Sequence, residues 1–184
     1  MNQNPYAPPQ AEVVDVTVDE VLANDETIFF PCSLLKLALM SLSTLGLYHI
    51  YWFYKNWQYV KDRTREDITP AARGIFAILF CYGLFKRIRE YQETVSTNKL
   101  AAGPLATIFI FLNIAGRLPG LLAVISFLSF VPLLVVQHAV NKINNVAAPD
   151  HDPNAKFTGW NWAIIAIAVV LWALVIVGTN ISGL

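Results

Sequence analysis

Three histidines, two cysteines and a few amide side chains are the groups in this chain whose chemistry could be put to use. His49 and His138 each lie near the end of an apolar run, the placement a bis-histidine haem site would need. Ordinary interfacial histidines sit in the same places, so no cofactor is assigned. Asp150-His151-Asp152 offers three metal-ligating groups in a row. Adjacent residues rarely converge on one ion, however, and Pro149 and Pro153 make the stretch a turn. Cys32 and Cys81 lie far apart in apolar surroundings and read as buried, inert thiols, with no CxxC pair. Neither a metal nor a disulfide is expected.

Catalytic patterns are missing as well. No Asp or Glu falls in any apolar segment, and no HExxH, GxSxG or P-loop string occurs. A membrane hydrolase needs a base and nucleophile, or metal ligands, at membrane depth. A proton-coupled pump needs intramembrane carboxylates for its relay. The chain is therefore read as a non-enzyme. Asn113 is the one strongly polar side chain well inside an apolar arm, and it suits a helix–helix hydrogen bond.

The densest feature is Gly46 to Val60, GLYHIYWFYKNWQYV, in which seven of fifteen residues are aromatic. Aromatic rings followed at once by Lys55 and Lys61 describe a helix leaving a bilayer, rings at headgroup level and ammonium groups in water. A ligand box would confine the rings to one face, whereas here they surround the helix. Tyr48, Tyr51, Trp52, Tyr54 and Trp57 are accordingly expected as membrane-interface anchors, with Trp160 and Trp162 doing the same later in the chain.

Composition agrees with a chain solvated partly by lipid. Of 184 residues 55% are hydrophobic and only 14% charged, against about a quarter in soluble domains, and mean hydropathy is +0.48. The net charge is zero but unevenly spread. Six acidic residues and no basic ones lie in the first 26 positions, and nine of thirteen basic residues lie from Lys55 to Lys99. Those charges flank apolar runs, so they read as topology signals and not as a nucleic-acid surface.

Residues 1–27, acidic and rich in Pro early on, are expected to be a disordered tail, leaving 28–184 as a single membrane domain. No secretory signal precedes it. Five apolar segments follow, at about 33–54, 74–85, 104–115, 121–138 and 160–181. The first, about 33 Å long as one helix through Gly46, is long enough for a core of about 30 Å. Gly46 would mark close helix contact there, and Lys36 would snorkel outward. Thr69-Pro70 starts a helix of about 28 residues, buried at first and then amphipathic, with Cys81, Leu84, Ile88, Tyr91 and Val95 as its apolar stripe. Pro132 would kink the helix of 121–138. The fold expected is an all-α polytopic membrane bundle, with three full spans and one or two short, re-entrant or interfacial helices. The basic cluster should face the cytoplasm, with Arg117 outside.

Two resemblances accompany these readings. NPYAPPQAEV resembles a leader that precedes the first membrane segment in several unrelated bacterial membrane proteins. From about Leu47 to Trp162 the chain resembles a group of uncharacterised bacterial integral membrane proteins. The residues that carry this are Tyr51 to Trp57, like the group's YWFYRNW string, Thr69-Pro70, Phe80 to Lys86, and APDHDPNAKFTGWNW from Ala148 to Trp162. Where that pattern often has an aromatic pair after Ser/Thr-Pro, this chain has Ala71-Ala72. The resemblance implies a bacterial inner-membrane, multi-pass protein and brings no activity with it.

The function expected is binding in the bilayer, to lipid, to another membrane protein or to a second copy, with Lys86, Arg87 and Arg89 as contacts for anionic lipid. The alternative is a small transporter or channel, with Asn113, His138 and Pro132 lining a path.

Overall fold

The computed structural model describes residues 26–118 and 124–182, and among these every regular element is helical. The elements are α1 (Leu34–Ser43), α2 (Leu47–Thr64), α3 (Pro70–Ile75), α4 (Ala77–Val95), α5 (Ala102–Ala115), a 3₁₀ turn (Ser126–Ser129), α6 (Phe130–Ala147) and α7 (Gly159–Ser182). Nearly all of the acidic tail, and the first residues of the segment expected at 121–138, lie outside the described residues.

The expected first span is two helices, not one. Ser33 caps α1 by accepting the Lys36 amide, and α1 stops after ten residues. Leu45 (φ 54°) and Gly46 (φ 86°) then take left-handed conformations that reverse the chain. The Thr44 hydroxyl joins the two helices: it donates to the Met40 carbonyl at 2.7 Å and accepts the Tyr48 amide at 3.0 Å. Gly46 is thus a turn residue and not the contact glycine. That part falls to Gly74, where a Cβ would lie 2.9 Å from the Ile50 carbonyl oxygen and 3.1 Å from Tyr54.

Helix α3 starts at Thr69-Pro70 as the sequence predicts, although the Thr69 side chain makes no cap bond. The single 28-residue helix is corrected, because Phe76 (φ −92°, ψ 38°) breaks it into α3 and α4. Along α4 the buried stripe is Ala77, Cys81, Leu84, Phe85, Ile88 and Gln92, close to the predicted one. Pro132 lies in the first turn of α6, directly after the 3₁₀ turn, so the change of helical geometry comes before it, at Ser126–Ser129, and not inside the helix.

By length and composition, one run among the described residues, Ser126–Ala147, is long and apolar enough to cross a membrane. It extends nine residues past the predicted end at His138, because Gln137, Asn141 and Asn144 are satisfied within the bundle. Leu34–Ser43, Ala102–Ala115 and Gly159–Leu174 are shorter apolar helices.

Around a central ring cluster, α2, α4 and α5 meet. Phe53 stacks on Phe85 with centroids 6.0 Å apart, and Phe109 closes on both at 5.4 and 6.5 Å. The other half of the core is a non-helical strap, residues 28–32, buried at all but Pro31 beside α2 and α6. A non-helical segment inside a helical bundle has no ladder to join, so side-chain amides take its polar groups. Asn144 Oδ1 accepts the Ile28 and Phe29 amides, and Asn144 Nδ2 donates to the Phe29 carbonyl. Asn56 accepts the Phe30 amide, while Gln137, Asn154 and Asn141 donate to the carbonyls of Phe30, Pro31 and Cys32. Gln137, Asn141 and Asn144 fall on one face of α6 by their spacing of four and three. Lys36 joins this end instead of snorkelling: its ammonium is buried and donates to Asn154 Oδ1 at 2.7 Å and the Lys156 carbonyl at 2.9 Å.

Candidate functional site

At the opposite end of α6 from the strap lies a cavity of about 340 Å³. Phe130, on its wall, and Asn144, on the strap, are separated by about 21 Å of helix. The α1–α2 turn brings Ser41, Gly46 and His49 to the cavity, and the first turn of α4 brings Ala77 and Ile78. The end of α5 adds Asn113 and Arg117, and the 3₁₀ turn adds Ser126 and Ser129. Gly116 lets the α5 end approach that turn, since a Cβ there would sit 2.8 Å from Ser126 Oγ. The volume is near the lower end of the range of about 300–1,000 Å³ found for small-molecule sites.

Two polar atoms in this wall stand out. Ser41 and His49 are 4% and 5% exposed, and among the described residues neither Ser41 Oγ nor His49 Nε2 has a hydrogen-bond partner. A buried polar atom left unpaired costs about 1–3 kcal/mol, so a native chain rarely keeps two together without a use for them. Asn113 does not bridge helices as expected; its Nδ2 donates to the Phe109 carbonyl of its own helix at 2.8 Å. Arg117 is the one charged side chain on the wall. Among the described residues no carboxylate lies within ion-pair distance of it.

The aromatic string is distributed differently from a belt. Trp52 and Trp57 are fully buried and Tyr48 nearly so, which corrects the anchor expectation for these three. Trp52 Nε1 donates to Gln137 Oε1 at 2.5 Å, locking α2 to the amide row of α6. Trp57 lies between two guanidinium groups, Arg73 at 4.3 Å and Arg87 at 5.9 Å from its ring. Tyr51, Trp160 and Trp162 are exposed, and Tyr54 is half-buried with the Lys55 ammonium 5.9 Å from its ring. Sequence periodicity missed the inward rings because their partners lie on other elements, Gln137 being 85 residues from Trp52 and Arg73 and Arg87 lying beyond the end of α2.

The three basic residues of α4 are all paired. Arg87 makes a two-pronged contact with Glu66, both oxygens at 2.8 Å, Lys86 faces Glu90 at 3.7 Å, and Arg89 faces Glu93 at 3.6 Å. The path imagined through Asn113, Pro132 and His138 is not assembled. Asn113 lines the cavity, Pro132 is buried in α6, and His138 is exposed on that helix. For the same reason His49 and His138 do not form a pair. Asp150-His151-Asp152 is a turn, with His151 Nδ1 2.6 Å from the Ala148 carbonyl and Asp152 accepting the Asn154 amide. Among the described residues no group of three His, Cys, Asp or Glu side chains could hold a metal ion.

The sequence pattern of a domain of unknown function (DUF4234) matches residues 32–178, most of the chain. The chain belongs to this family. Its DUF4234 region begins at Cys32, the last residue of the strap, and takes in the whole cavity wall and the whole amide row of α6. Comparison with curated proteins gives no match, and comparison with solved structures gives none.

Proposed function

We propose that this protein is a multi-pass protein of the bacterial inner membrane that acts by binding, to lipid or to a partner in the bilayer, and not by catalysis. One observation carries the reading. Leu45, Leu47, Ile75, Phe76 and Leu79 are each more than half exposed, and they cluster at the end of the bundle that holds the cavity. Apolar surface gathered this way marks a site covered by something other than water. The charged loops lie at the other end, where Arg87 meets Glu66 and Lys36 meets Asn154.

On this reading α6 and α7 cross the bilayer, and α5 carries the chain from Lys99 to Arg117 on the other side. The α1–α2 hairpin enters from the strap side and turns back at Gly46, because ten residues of α1 rise only about 15 Å. The basic residues from Lys55 to Lys99, with Lys142 and Lys156, face the cytoplasm, and Arg117 faces the other side. The non-catalytic part of the proposal draws on the wall's chemistry. Among the described residues of the wall, His49 is the one imidazole and no carboxylate lines the wall with it to form a base–orienter pair.

Labelling with a membrane-impermeant maleimide tests the proposal. In cells and in inverted vesicles, Leu45→Cys and Leu79→Cys should stay unlabelled from both faces, whereas Lys61→Cys should label in inverted vesicles. Release of the chain by alkaline carbonate, with Leu45→Cys as reactive as Lys61→Cys, would overturn it.

A further inference from the structure

We infer that the cavity between the α1–α2 turn and the 3₁₀ turn holds the phosphodiester headgroup of an anionic membrane lipid, its acyl chains lying along the exposed apolar rim. The inference rests on the bilayer placement proposed above and adds the ligand.

Three features of the wall define the occupant. Ser41 Oγ and His49 Nε2 belong to residues of the cavity wall, are buried just behind its surface and have no hydrogen-bond partner among the described residues, so hydrogen-bonding capacity is held in reserve beside the cavity. Arg117, exposed just past the end of α5, adds a cation to the wall, and among the described residues no carboxylate lies within ion-pair distance of it. A guanidinium on the same wall as those hydrogen-bonding residues suits an acceptor-rich anion, and phosphate oxygens meet guanidinium in a two-pronged geometry. The rim decides the source of that phosphate. Leu45, Leu47 and Ile75, all on the cavity wall, are exposed, so a ligand seated at Arg117 meets hydrocarbon surface on its way out. A free phosphate ion would make no use of that surface, whereas two acyl chains would cover it. Arg117, placed opposite the cytoplasmic basic cluster, puts the headgroup at the outer leaflet.

The test uses the full chain purified in a neutral detergent, with thermal unfolding and native mass spectrometry as readouts. Dioleoyl phosphatidylglycerol should bind saturably at one site and raise the unfolding midpoint. Dioleoylglycerol, which lacks the phosphate, and inorganic phosphate, which lacks the chains, should do neither. Arg117→Gln, Ser41→Ala and His49→Phe should each weaken phosphatidylglycerol binding tenfold or more, while Lys142→Gln, an exposed cation at the far end of α6, leaves it unchanged. Ser41→Ala also separates the roles of its hydroxyl. Removing an idle buried hydroxyl should leave the lipid-free midpoint unchanged or raised, whereas a structural hydroxyl would lower it. Equal binding of dioleoylglycerol, a full response to inorganic phosphate alone, or wild-type affinity in Arg117→Gln and Ser41→Ala would each overturn the inference. A protein that is embedded by the maleimide criterion but binds no phosphatidylglycerol refutes the ligand and leaves the membrane reading standing. A protein that is not embedded refutes both.

Discussion

Asn144 and Phe29 pair as two strands of a sheet would: the Phe29 amide donates to Asn144 Oδ1 at 3.1 Å, and Asn144 Nδ2 returns a bond to the Phe29 carbonyl at 2.9 Å. The same oxygen also takes the Ile28 amide at 3.0 Å. One side chain thereby satisfies three main-chain groups of a segment that has no strand beside it. Asn144→Leu fills similar space but orphans all three. At about 1–3 kcal/mol for each buried group left unpaired, the loss should be at least about 3 kcal/mol. Urea unfolding in micelles measures it, with the exposed neighbour Asn145→Ala as the control expected to change stability by less than about 0.5 kcal/mol. Equal effects of the two substitutions would mean the strap is not held by its amides.

Two glycines on consecutive helices should respond in opposite ways to alanine. At Gly74 a Cβ would come within 2.9 Å of the Ile50 carbonyl, which belongs to a helix backbone and cannot rotate away. Helix α3 must then move off α2, and Gly74→Ala should cost about 1–3 kcal/mol. At Gly83 the new Cβ would meet only the Trp57 ring at 3.8 and 3.9 Å, an ordinary contact. Gly83→Ala should be neutral or stabilising by up to about 1 kcal/mol, since alanine is the better helix former. Thermal unfolding of the pair decides the matter, and a Gly74→Ala variant as stable as Gly83→Ala would contradict the close packing.

What the sequence discloses depends on how local the cause is. Thr69-Pro70 announces α3 because a fixed proline φ acts within one residue, and the stripe from Cys81 to Ile88 announces α4 because its period is a property of the helix itself. The turn at Pro149–Pro153 is readable for the same reason. The break at Leu45 and Gly46 is not: leucine carries no preference for φ 54°, and the uninterrupted apolar run looks like one span. The strap is harder still. Ile28 to Cys32 looks like the lead into a helix, and it is made a core element chiefly by Asn144, Gln137, Asn141 and Asn154, more than a hundred residues away, with Asn56 as the one nearer partner. Of the cavity, the sequence marks Asn113 and His49 only singly. Their meeting with Ser41 and Arg117 required the turn at Gly46 and the close approach of Gly116 to Ser126.

The paired state of the α4 cations sharpens how they should be tested as lipid contacts. Lys86 and Arg89 face Glu90 and Glu93 one turn on, at exposed positions worth only about 0.3–0.5 kcal/mol each. Arg87 is different, because its two-pronged contact reaches Glu66 beyond the end of α2. Lys86→Glu with Arg89→Glu should therefore leave folding nearly intact and remove local enrichment of phosphatidylglycerol over phosphatidylcholine, read by quenching with brominated lipids. Arg87→Glu should destabilise the fold, and Glu66→Arg in the same chain should restore it. Unchanged lipid enrichment in the Lys86 and Arg89 double variant would remove this face from the lipid-binding surface.

Both native thiols should be silent in the folded chain, which is what allows the introduced cysteines above to report. Cys32 and Cys81 are fully buried. For Cys32, in the strap, burial pushes the thiol up from its ordinary value, against a smaller opposing effect of the Tyr48 hydroxyl 3.8 Å away. A thiol raised in the folded state stays protonated there while its unfolded counterpart ionises. Its contribution to stability is therefore complete below the ordinary thiol pKa of about 8.5 and is lost as pH rises through the folded value. Maleimide at pH 7.5 should label neither residue faster than the chain unfolds. Above roughly pH 8.5 the stability of the native chain should decline, and Cys32→Ala should flatten that decline while costing some packing. Rapid labelling of Cys32 in the folded protein, or the same alkaline slope in Cys32→Ala, would show that the strap opens far more readily than its seven side-chain hydrogen bonds allow.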